Sequence, residues 1–151
     1  MPGVGEDQRY FEDVDPGDEH RASWTPTTES VIAYMNASER FGGGDGRFTD
    51  PEAAKRLGLG GAIAPGVFSL SVLTRIVNDW AGMQGRIRVV EVSFRRPVQH
   101  DVDLTAMALV TDTEEAEEAE LGRIKLDVFL ENDSGERPVQ GTAIVDLPRR
   151  P

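Results

Sequence analysis

The chain has 151 residues, enough for a single domain with a buried core, and a formal net charge of −11. This acidic balance leaves no basic surface to neutralise phosphates, so it argues against non-specific nucleic-acid binding. The absence of cysteine excludes disulfides, thiolate metal sites and a cysteine nucleophile, and it favours a reducing compartment. The sequence contains no run of about 18 apolar residues, so we expect no membrane span. We expect a cytoplasmic domain over residues 10–148, preceded by a poorly ordered tail of residues 1–9.

The first third of the chain predicts a strand, a helix and a loop. His20 to Thr25 alternates weakly between polar and apolar residues, which indicates an edge strand. A helix is predicted over Glu29 to Ala37, with Thr27 or Thr28 as its N-cap. Glu39 to Thr49 is rich in glycine and predicts a loop.

The most informative segment is DPEAAKRLGLGGAIAPGVFSLSVLTRIVNDW, which begins at Asp50. Asp50 is a good N-cap for a short helix, with Pro51 at its first position and Gly58 at its end. A longer helix then opens at Gly66 and carries no charge before Arg75, so we expect it to be buried on most sides. Its N-terminal amides would face an enclosed space, which suits a carbonyl oxygen or another partial negative charge.

After this helix the apolar residues alternate, which predicts four antiparallel strands. These strands are Arg86–Arg95, Asp101–Asp112, Gly122–Glu131 and Val139–Leu147. The side chains of the second strand that we expect to face the core are Val102, Leu104, Ala106, Ala108 and Val110. Helices followed by antiparallel strands indicate an α+β domain in which a curved sheet surrounds one buried helix.

Three stretches carry a resemblance to a known family, namely Phe11–Asp18, Asp50–Gly66 and Ser93–Asp103. The first, FEDVDPGD, looks like the family's opening F-x-x-x-x-x-G-D. The last, SFRRPVQHDVD, looks like S-F-x-x-P-V-x-x-G-D, with His100 where glycine is usual. Over about Phe11 to Asp146 the chain resembles MaoC-like acyl-thioester dehydratases, also called (R)-specific enoyl-CoA hydratases. This resemblance implies a hot-dog fold and protomers that pair edge to edge, with active sites at the dimer interface.

The same resemblance shows a departure at the catalytic motif. Active family members carry D-x-N-P-x-H, in which the Asp and His activate a water. Alignment on Thr49-Asp50-Pro51-Glu52 puts Phe48 in the place of that His and Gly43 in the place of that Asp. The family's second His, just before the helix glycine, is Pro65 here, whereas Gly66 matches the glycine whose backbone N–H helps to form the oxyanion site. The resemblance therefore implies a carbonyl-binding scaffold without the usual acid–base pair.

The resemblance also implies the ligand, an acyl thioester carried by coenzyme A or by the phosphopantetheine of an acyl carrier protein, with no separate cofactor and no metal. The residues expected to bind it are Phe48, Pro65, Gly66, Val67, Phe68, Leu70, Arg95 and Arg96. The acyl chain is expected to run along Val67, Phe68 and Leu70. Arg95 and Arg96 would meet the phosphates, although a solvated strand face explains these arginines equally well.

Asp45 is the leading candidate for a relocated acid–base group, because it is the only acid within the glycine run of residues 42–46. A turn aspartate that stabilises its own backbone is the simpler explanation. The two histidines, His20 and His100, are isolated in sequence and therefore make a poor metal site. We also expect His100 to lie far from Gly66. Ser69 and Ser71 lack the neighbouring histidine that a serine nucleophile needs.

Three functions remain open from the sequence. The first is an enoyl hydratase or dehydratase whose acid–base residues are atypical or lost. The second is a non-catalytic subunit that completes an active partner of the same fold. The third is a hot-dog acyl-CoA thioesterase that uses a carboxylate to direct water. In each case we expect a homodimer, or a heteromer with a related chain, and neither nucleic acid nor membrane as a partner.

Overall fold

The computed structural model describes residues 8–37 and 46–151, and the structural statements that follow concern these residues. A short 3₁₀ turn at Phe11–Asp13 comes before the regular elements. The helices are α1 (Thr28–Ala37), α2 (Pro51–Arg56) and α3 (Gly66–Ala81). The strands are β1 (Glu19–Trp24), β2 (Arg86–Phe94), β3 (Leu104–Glu115), β4 (Leu121–Asn132) and β5 (Val139–Pro148).

The five strands form one antiparallel sheet in the order β1-β3-β4-β5-β2. The predicted edge strand is confirmed, because β1 pairs only with β3, and β2 forms the opposite edge. Helix α3 connects β1 and α1 to β2, and it packs across one face of the sheet. Its residues Leu73, Ile76, Val77 and Trp80 enter the same buried cluster as the inward side chains of β3, β4 and β5. The α+β arrangement expected from the sequence is confirmed.

The helix caps follow the local sequence. The side chain of Asp50 accepts a hydrogen bond from the N–H of Glu52, and Gly58 has a φ of 82°, so both predicted ends of α2 are confirmed. At α1 the choice between two threonines is settled, because the N–H of Ser30 donates to Oγ1 of Thr27 at 3.1 Å. None of the described helices has the length and hydropathy that crossing a bilayer requires.

Strand β3 differs from its prediction at both ends. It begins at Leu104 because Asp101 adopts a left-handed φ of 62°, which ends any extended run through the preceding turn. Val102 therefore lies outside the strand and is 38% exposed, so the expectation that it faces the core is wrong. At its far end the strand continues to Glu115, so the acidic residues Asp112, Glu114 and Glu115 lie within it.

Helix α3 is less enclosed in the single chain than its composition suggested. One face is buried, but the opposite face, which begins with Val67 at 40% exposure, is open. The exposed residues of this face are Val67, Ser71, Arg75, Asn78 and Asp79. The expectation of burial on most sides is thus corrected, because a single sheet covers only one side of the helix.

Candidate functional site

The N-terminus of α3 has backbone donors that the fold does not use. Pro65 is the N-cap and makes no side-chain cap, while its carbonyl accepts from the N–H groups of Phe68 and Ser69. Within the described part of the chain, no acceptor is bonded to the N–H of Gly66 or of Val67. The first turn also contains no acidic residue that would offset the positive end of the helix dipole. This end of the helix can therefore bind an oxygen that carries partial negative charge.

The opposite end of α3 is closed by the chain's own residues. Nε2 of Gln8 donates to the carbonyl of Ala81, and Nε of Arg9 donates to the carbonyl of Trp80, each at 2.9 Å. The guanidinium of Arg9 also lies 5.1 Å from the centre of the Trp80 ring. These contacts come from the last two residues of the expected tail, whose residues 1–7 lie outside the described chain. Within the described residues, the terminal carbonyls of the helix are hydrogen-bonded, whereas its first N–H groups are not. The N-terminal end of α3 is therefore a candidate site.

One wall of this site is the ring of Phe94 at the end of the edge strand β2. A Cβ atom added at Gly66 would lie 3.0 Å from this ring, closer than ordinary contacts allow. Glycine at position 66 therefore lets the helix start approach the aromatic ring. Phe94 is 54% exposed in the single chain, so a molecule that reaches Gly66 also meets this ring.

A second wall consists of three aromatic rings contributed by α3, α1 and β1. The ring of Phe68 stacks on Tyr34 with centroids 4.4 Å apart, and Trp24 meets the same ring edge-on at 5.2 Å. All three residues are half-buried. This cluster ties α1 to the first turn of α3, where Phe68 lies two residues after Gly66. The sequence did not predict it, because the three residues are far apart along the chain.

The segment that leads into α3 is held by the turn that follows β2. The N–H of Ala64 donates to the carbonyl of Val98 at 2.7 Å, and the N–H of His100 donates to the carbonyl of Ala62 at 3.1 Å. The imidazole Nε2 of His100 lies 3.3 Å from the carbonyl oxygen of Ile63. The expectation that His100 lies far from Gly66 is wrong, since its ring contacts the residue three positions before that glycine. Counted from Ser93 along S-F-x-x-P-V-x-x-G-D, the family's glycine falls on Asp101 and not on His100, so no sequence signal indicated this role.

The predicted acid–base positions are only partly described. Gly43 and Asp45 lie outside the described residues. Phe48 is half-buried, and its neighbour Arg47 accepts the N–H of Ile63 through its carbonyl at 3.0 Å. Phe48 therefore lies beside a residue that contacts the segment leading to α3. A phenyl ring there offers neither a proton donor nor a proton acceptor.

The hydroxyl groups of α3 differ in their bonding. Oγ of Ser71 donates to the carbonyl of Val67, and Oγ1 of Thr74 donates to that of Leu70, each at 2.8 Å. Ser69 is buried, and its hydroxyl has no hydrogen-bond partner in the described chain. Leu70 is half-buried one turn beyond Gly66, on the same flank of the helix.

Arg95 and Arg96, expected to meet phosphates, form a cluster in the sequence with Arg86 and Arg88, and three of these four arginines pair with carboxylates. Arg86 and Arg88 both pair with Glu118. Arg96 pairs with Glu136. Within the described chain the Arg95 side chain has no ion pair, and it lines an open groove of about 320 Å³. Of these four arginines, Arg95 is the one still available for an anionic ligand.

Asp146 is a buried carboxylate on the face of the sheet opposite α3, because its neighbours Val145 and Leu147 both belong to the core cluster. Nε of Arg88 lies 2.7 Å from Oδ2, and Nε of Arg123 lies 2.9 Å from Oδ1. Burial alone would raise the pKa of Asp146, but the hydrogen bonds and charges of the two arginines outweigh it and hold this pKa below its usual range. This cluster stabilises the sheet on the side away from Gly66.

No group of three or more histidine, aspartate and glutamate residues within the described ranges is arranged to hold a metal ion. The described part of the site offers backbone donors, aromatic walls and one histidine behind the helix start.

Comparison with known proteins places this geometry in a family. The profile of the family described as "MaoC like domain" matches residues 15–130. A search of curated proteins found no match. The MaoC-like dehydratase from Rhodospirillum rubrum has a TM-score of 0.78 and 20% identity, with 95% of this chain and 99% of that chain covered.

Two further solved structures show the same fold. The (R)-hydratase from A. caviae, involved in PHA biosynthesis, has a TM-score of 0.77 and 22% identity over 91% of this chain and 99% of that chain. A chain of the ChsH1-ChsH2 complex from Mycobacterium tuberculosis has a TM-score of 0.70 and 21% identity over 91% and 99%. The expected hot-dog fold, a long helix against an antiparallel sheet, is confirmed. The family profile covers most of the chain, which therefore belongs to the MaoC-like domain family.

Proposed function

We propose that this protein binds an acyl thioester at the N-terminus of α3, as an (R)-specific enoyl hydratase or dehydratase type whose acid–base residues are atypical or lost. The observation that carries the proposal is the pair of unbonded N–H groups at Gly66 and Val67, at a helix end with no acidic residue. The thioester carbonyl oxygen would accept from the Gly66 N–H. Pro65 supports this geometry, since it has no N–H to compete for the same oxygen.

The arrangement suits the charge that hydration develops. When water adds to the β-carbon of an enoyl thioester, negative charge accumulates on the thioester oxygen, and donors already aimed at that oxygen lower the barrier. The acyl group would lie against Val67, Phe68 and Leu70, between the two aromatic walls. Arg95 would meet the phosphates of coenzyme A or of a carrier's phosphopantetheine, while Arg96 would first have to leave Glu136. The proposal requires no separate cofactor.

The acid–base step is the open part of the proposal. Phe48 cannot move a proton, so a turnover-competent chain would need another group, and Asp45 is the candidate we retain. General acid–base catalysis typically supplies about 10²- to 10⁴-fold, so its loss would leave a protein that binds its ligand and reacts slowly.

A second function is favoured by the unpaired edge of β2. Natural sheets cover or pair such edges, and this one carries the exposed side chains of Val89 and Phe94, of which Phe94 lies beside Gly66. The protein would then be a non-catalytic subunit that completes the site of a related MaoC-like chain. The ChsH1-ChsH2 complex is an assembly of two named chains, one of which has this fold. A second copy of the chain could occupy the same edge, and the lack of cysteine fits a cytoplasmic location in either case.

Hydration of crotonyl-CoA by the purified chain separates these functions. A hydratase in which Asp45 has taken over the acid–base role expects slow turnover that Asp45→Ala abolishes. The subunit proposal expects binding with little or no turnover, and activity only after addition of a related chain with an intact Asp/His pair. A chain that neither binds nor hydrates any enoyl thioester, alone or with such a partner, would contradict both.

A further inference from the structure

We propose that His100 is a positioning residue for the Gly66 amide, and that it holds the segment before α3 most firmly when its imidazole is doubly protonated. The inference rests on the proposed function, because that amide is the one assigned to the thioester. His100 is not placed in contact with the ligand. It acts through Ile63, three residues before Gly66.

The imidazole connects three parts of the structure. Nε2 faces the carbonyl oxygen of Ile63 at 3.3 Å, and Nδ1 lies 3.1 Å from Oγ1 of Thr28 at the start of α1. The same hydroxyl lies 3.1 Å from Oδ2 of Asp101, whose Oδ1 accepts the N–H of Thr28 at 3.3 Å. The ring therefore joins the segment before α3 to the first turn of α1 and to the turn after β2.

A count of hydrogens shows which contacts each protonation state of the ring can make. A carbonyl and a carboxylate only accept, so Nε2 must carry a hydrogen and the Thr28 hydroxyl must supply one to Asp101. That hydroxyl has a single hydrogen. If Nδ1 is unprotonated, it competes with Asp101 for this hydrogen, and one of the two contacts lacks a donor. If Nδ1 carries a hydrogen, every contact from Ile63 to Asp101 is a hydrogen bond.

The described elements packed around the ring carry few titratable side chains. The first turn of α1 contributes Glu29, and the turn after β2 contributes Asp101 together with Asp103, which already accepts from Oγ1 of Thr25 at 2.6 Å. Residues 57–65 contain no titratable side chain. The turn that contacts Ile63 contributes one cation, Arg47.

The contact between His100 and Ile63 restrains the backbone that leads into α3. The carbonyl of Ile63 is held by His100 and its N–H by the carbonyl of Arg47, so both polar groups of this residue are fixed. Ala64 is bonded to Val98, and Pro65 restricts the backbone that follows. Loss of the imidazole contact would release one side of this segment, and Gly66 is the first residue able to move with it.

The left-handed backbone of Asp101 belongs to the same arrangement. A φ of 62° is uncommon for a residue other than glycine, and aspartate is among the side chains that tolerate it best. Its N–H donates to the carbonyl of Pro26 at 3.0 Å, so the turn is anchored directly before α1. Thr28→Val should remove the relay to Asp101 without removing the N-cap, which is Thr27.

The test measures the affinity for crotonyl-pantetheine by calorimetry at pH 5.5 and at pH 8.0, since this thioester has no phosphate that titrates. We expect the wild type to bind several-fold more tightly at pH 5.5. His100→Gly should weaken binding at least tenfold at pH 5.5, and His100→Gln, whose amide can still donate to Ile63, should restore part of the loss. Thr28→Val should bind with little pH dependence. The matched control is His20→Gln, which removes the other histidine and should keep the wild-type ratio of the affinity at pH 5.5 to the affinity at pH 8.0.

The inference would be overturned if the ratio of the affinity at pH 5.5 to that at pH 8.0 stays at its wild-type value in Thr28→Val. It would also be overturned if this ratio falls to one in His20→Gln. If the wild type binds the thioester at neither pH, the proposed function fails, and amide hydrogen exchange at one fixed pH decides the positioning role alone. Faster exchange of the Ile63 and Ala64 amides in His100→Gly than in His20→Gln supports it. Equal exchange in the two variants overturns it.

Discussion

The ring of Phe94 lies so close to Gly66 that a Cβ atom at position 66 would stand 3.0 Å from it. This contact joins the free edge of the sheet to the first residue of α3. Because the ring is 54% exposed, a chain that pairs with β2 would cover Phe94 and enclose the space in front of the Gly66 amide. Assembly and ligand binding are therefore expected to depend on each other.

The first prediction concerns assembly. Because β2 has no second partner strand among the described residues and carries exposed apolar side chains, we expect the purified chain to be a homodimer, or to dimerise with a related chain. Val89→Asp should weaken this pairing by placing a charge on the edge strand. Light scattering at micromolar concentration measures the mass, with Ile32→Ser on the exposed face of α1 as the control. A stable monomer, with and without a related chain, would contradict the prediction.

The second prediction concerns the missing acid–base pair. The sequence resemblance puts Phe48 and Gly43 in the places of the family's histidine and aspartate, so we expect the chain alone to hydrate crotonyl-CoA poorly or not at all. The double substitution Gly43→Asp with Phe48→His should raise the rate by about 10²-fold or more, the lower end of what general acid–base catalysis supplies. Each single substitution serves as a control, because one member of the pair should give much less. Rapid hydration by the wild type that persists in Asp45→Ala would show that another residue acts as the base.

The third prediction concerns the buried carboxylate on the outer face of the sheet. Asp146→Asn leaves Arg88 and Arg123 without their shared anion, and because both arginines are partly exposed we expect a loss near the low end for buried pairs, about 3 kcal/mol in the free energy of unfolding. The control is Asp79→Asn, an exposed partner of Arg75 at 3.8 Å, which should change stability by less than about 0.5 kcal/mol. Equal effects in denaturant titrations of the two variants would contradict this role.

The same carboxylate gives a pH dependence with a definite sign. The pKa of Asp146 is lower in the folded chain than in the unfolded chain, so its stabilising contribution is present above the ordinary aspartate pKa of about 4. The contribution is lost as the pH falls below about 4, toward the folded-state pKa. Acid unfolding of Asp146→Asn should therefore show a smaller loss of stability between pH 5 and pH 2 than the wild type.

Local sequence signals predicted the elements that carry the site. Asp50, Pro51 and Gly58 defined α2 through capping and backbone preferences, and the uncharged start of α3 located Gly66. These signals act within one helical turn, so a single sequence contains them.

The contacts that position the helix start were not predicted. His100 and Ile63 are 37 residues apart, and nothing in the local pattern of either indicates that a ring nitrogen and a carbonyl oxygen meet. The stacking of Tyr34 on Phe68 is equally non-local. Val102 was assigned to the core because alternation alone cannot detect the left-handed Asp101 that interrupts the strand.

The central claim is that the Gly66 N–H binds the thioester oxygen, and calorimetry with crotonyl-CoA on three proteins tests it directly. Gly66→Pro removes the N–H while keeping a residue that suits the first position of a helix, and the extended ψ of 143° at Pro65 accepts a following proline. Gly66→Ala keeps the N–H and makes the same close approach to Phe94. We predict that Gly66→Pro lowers the affinity at least tenfold relative to Gly66→Ala, with both variants folded by circular dichroism. Equal affinity of the two variants would contradict the claim.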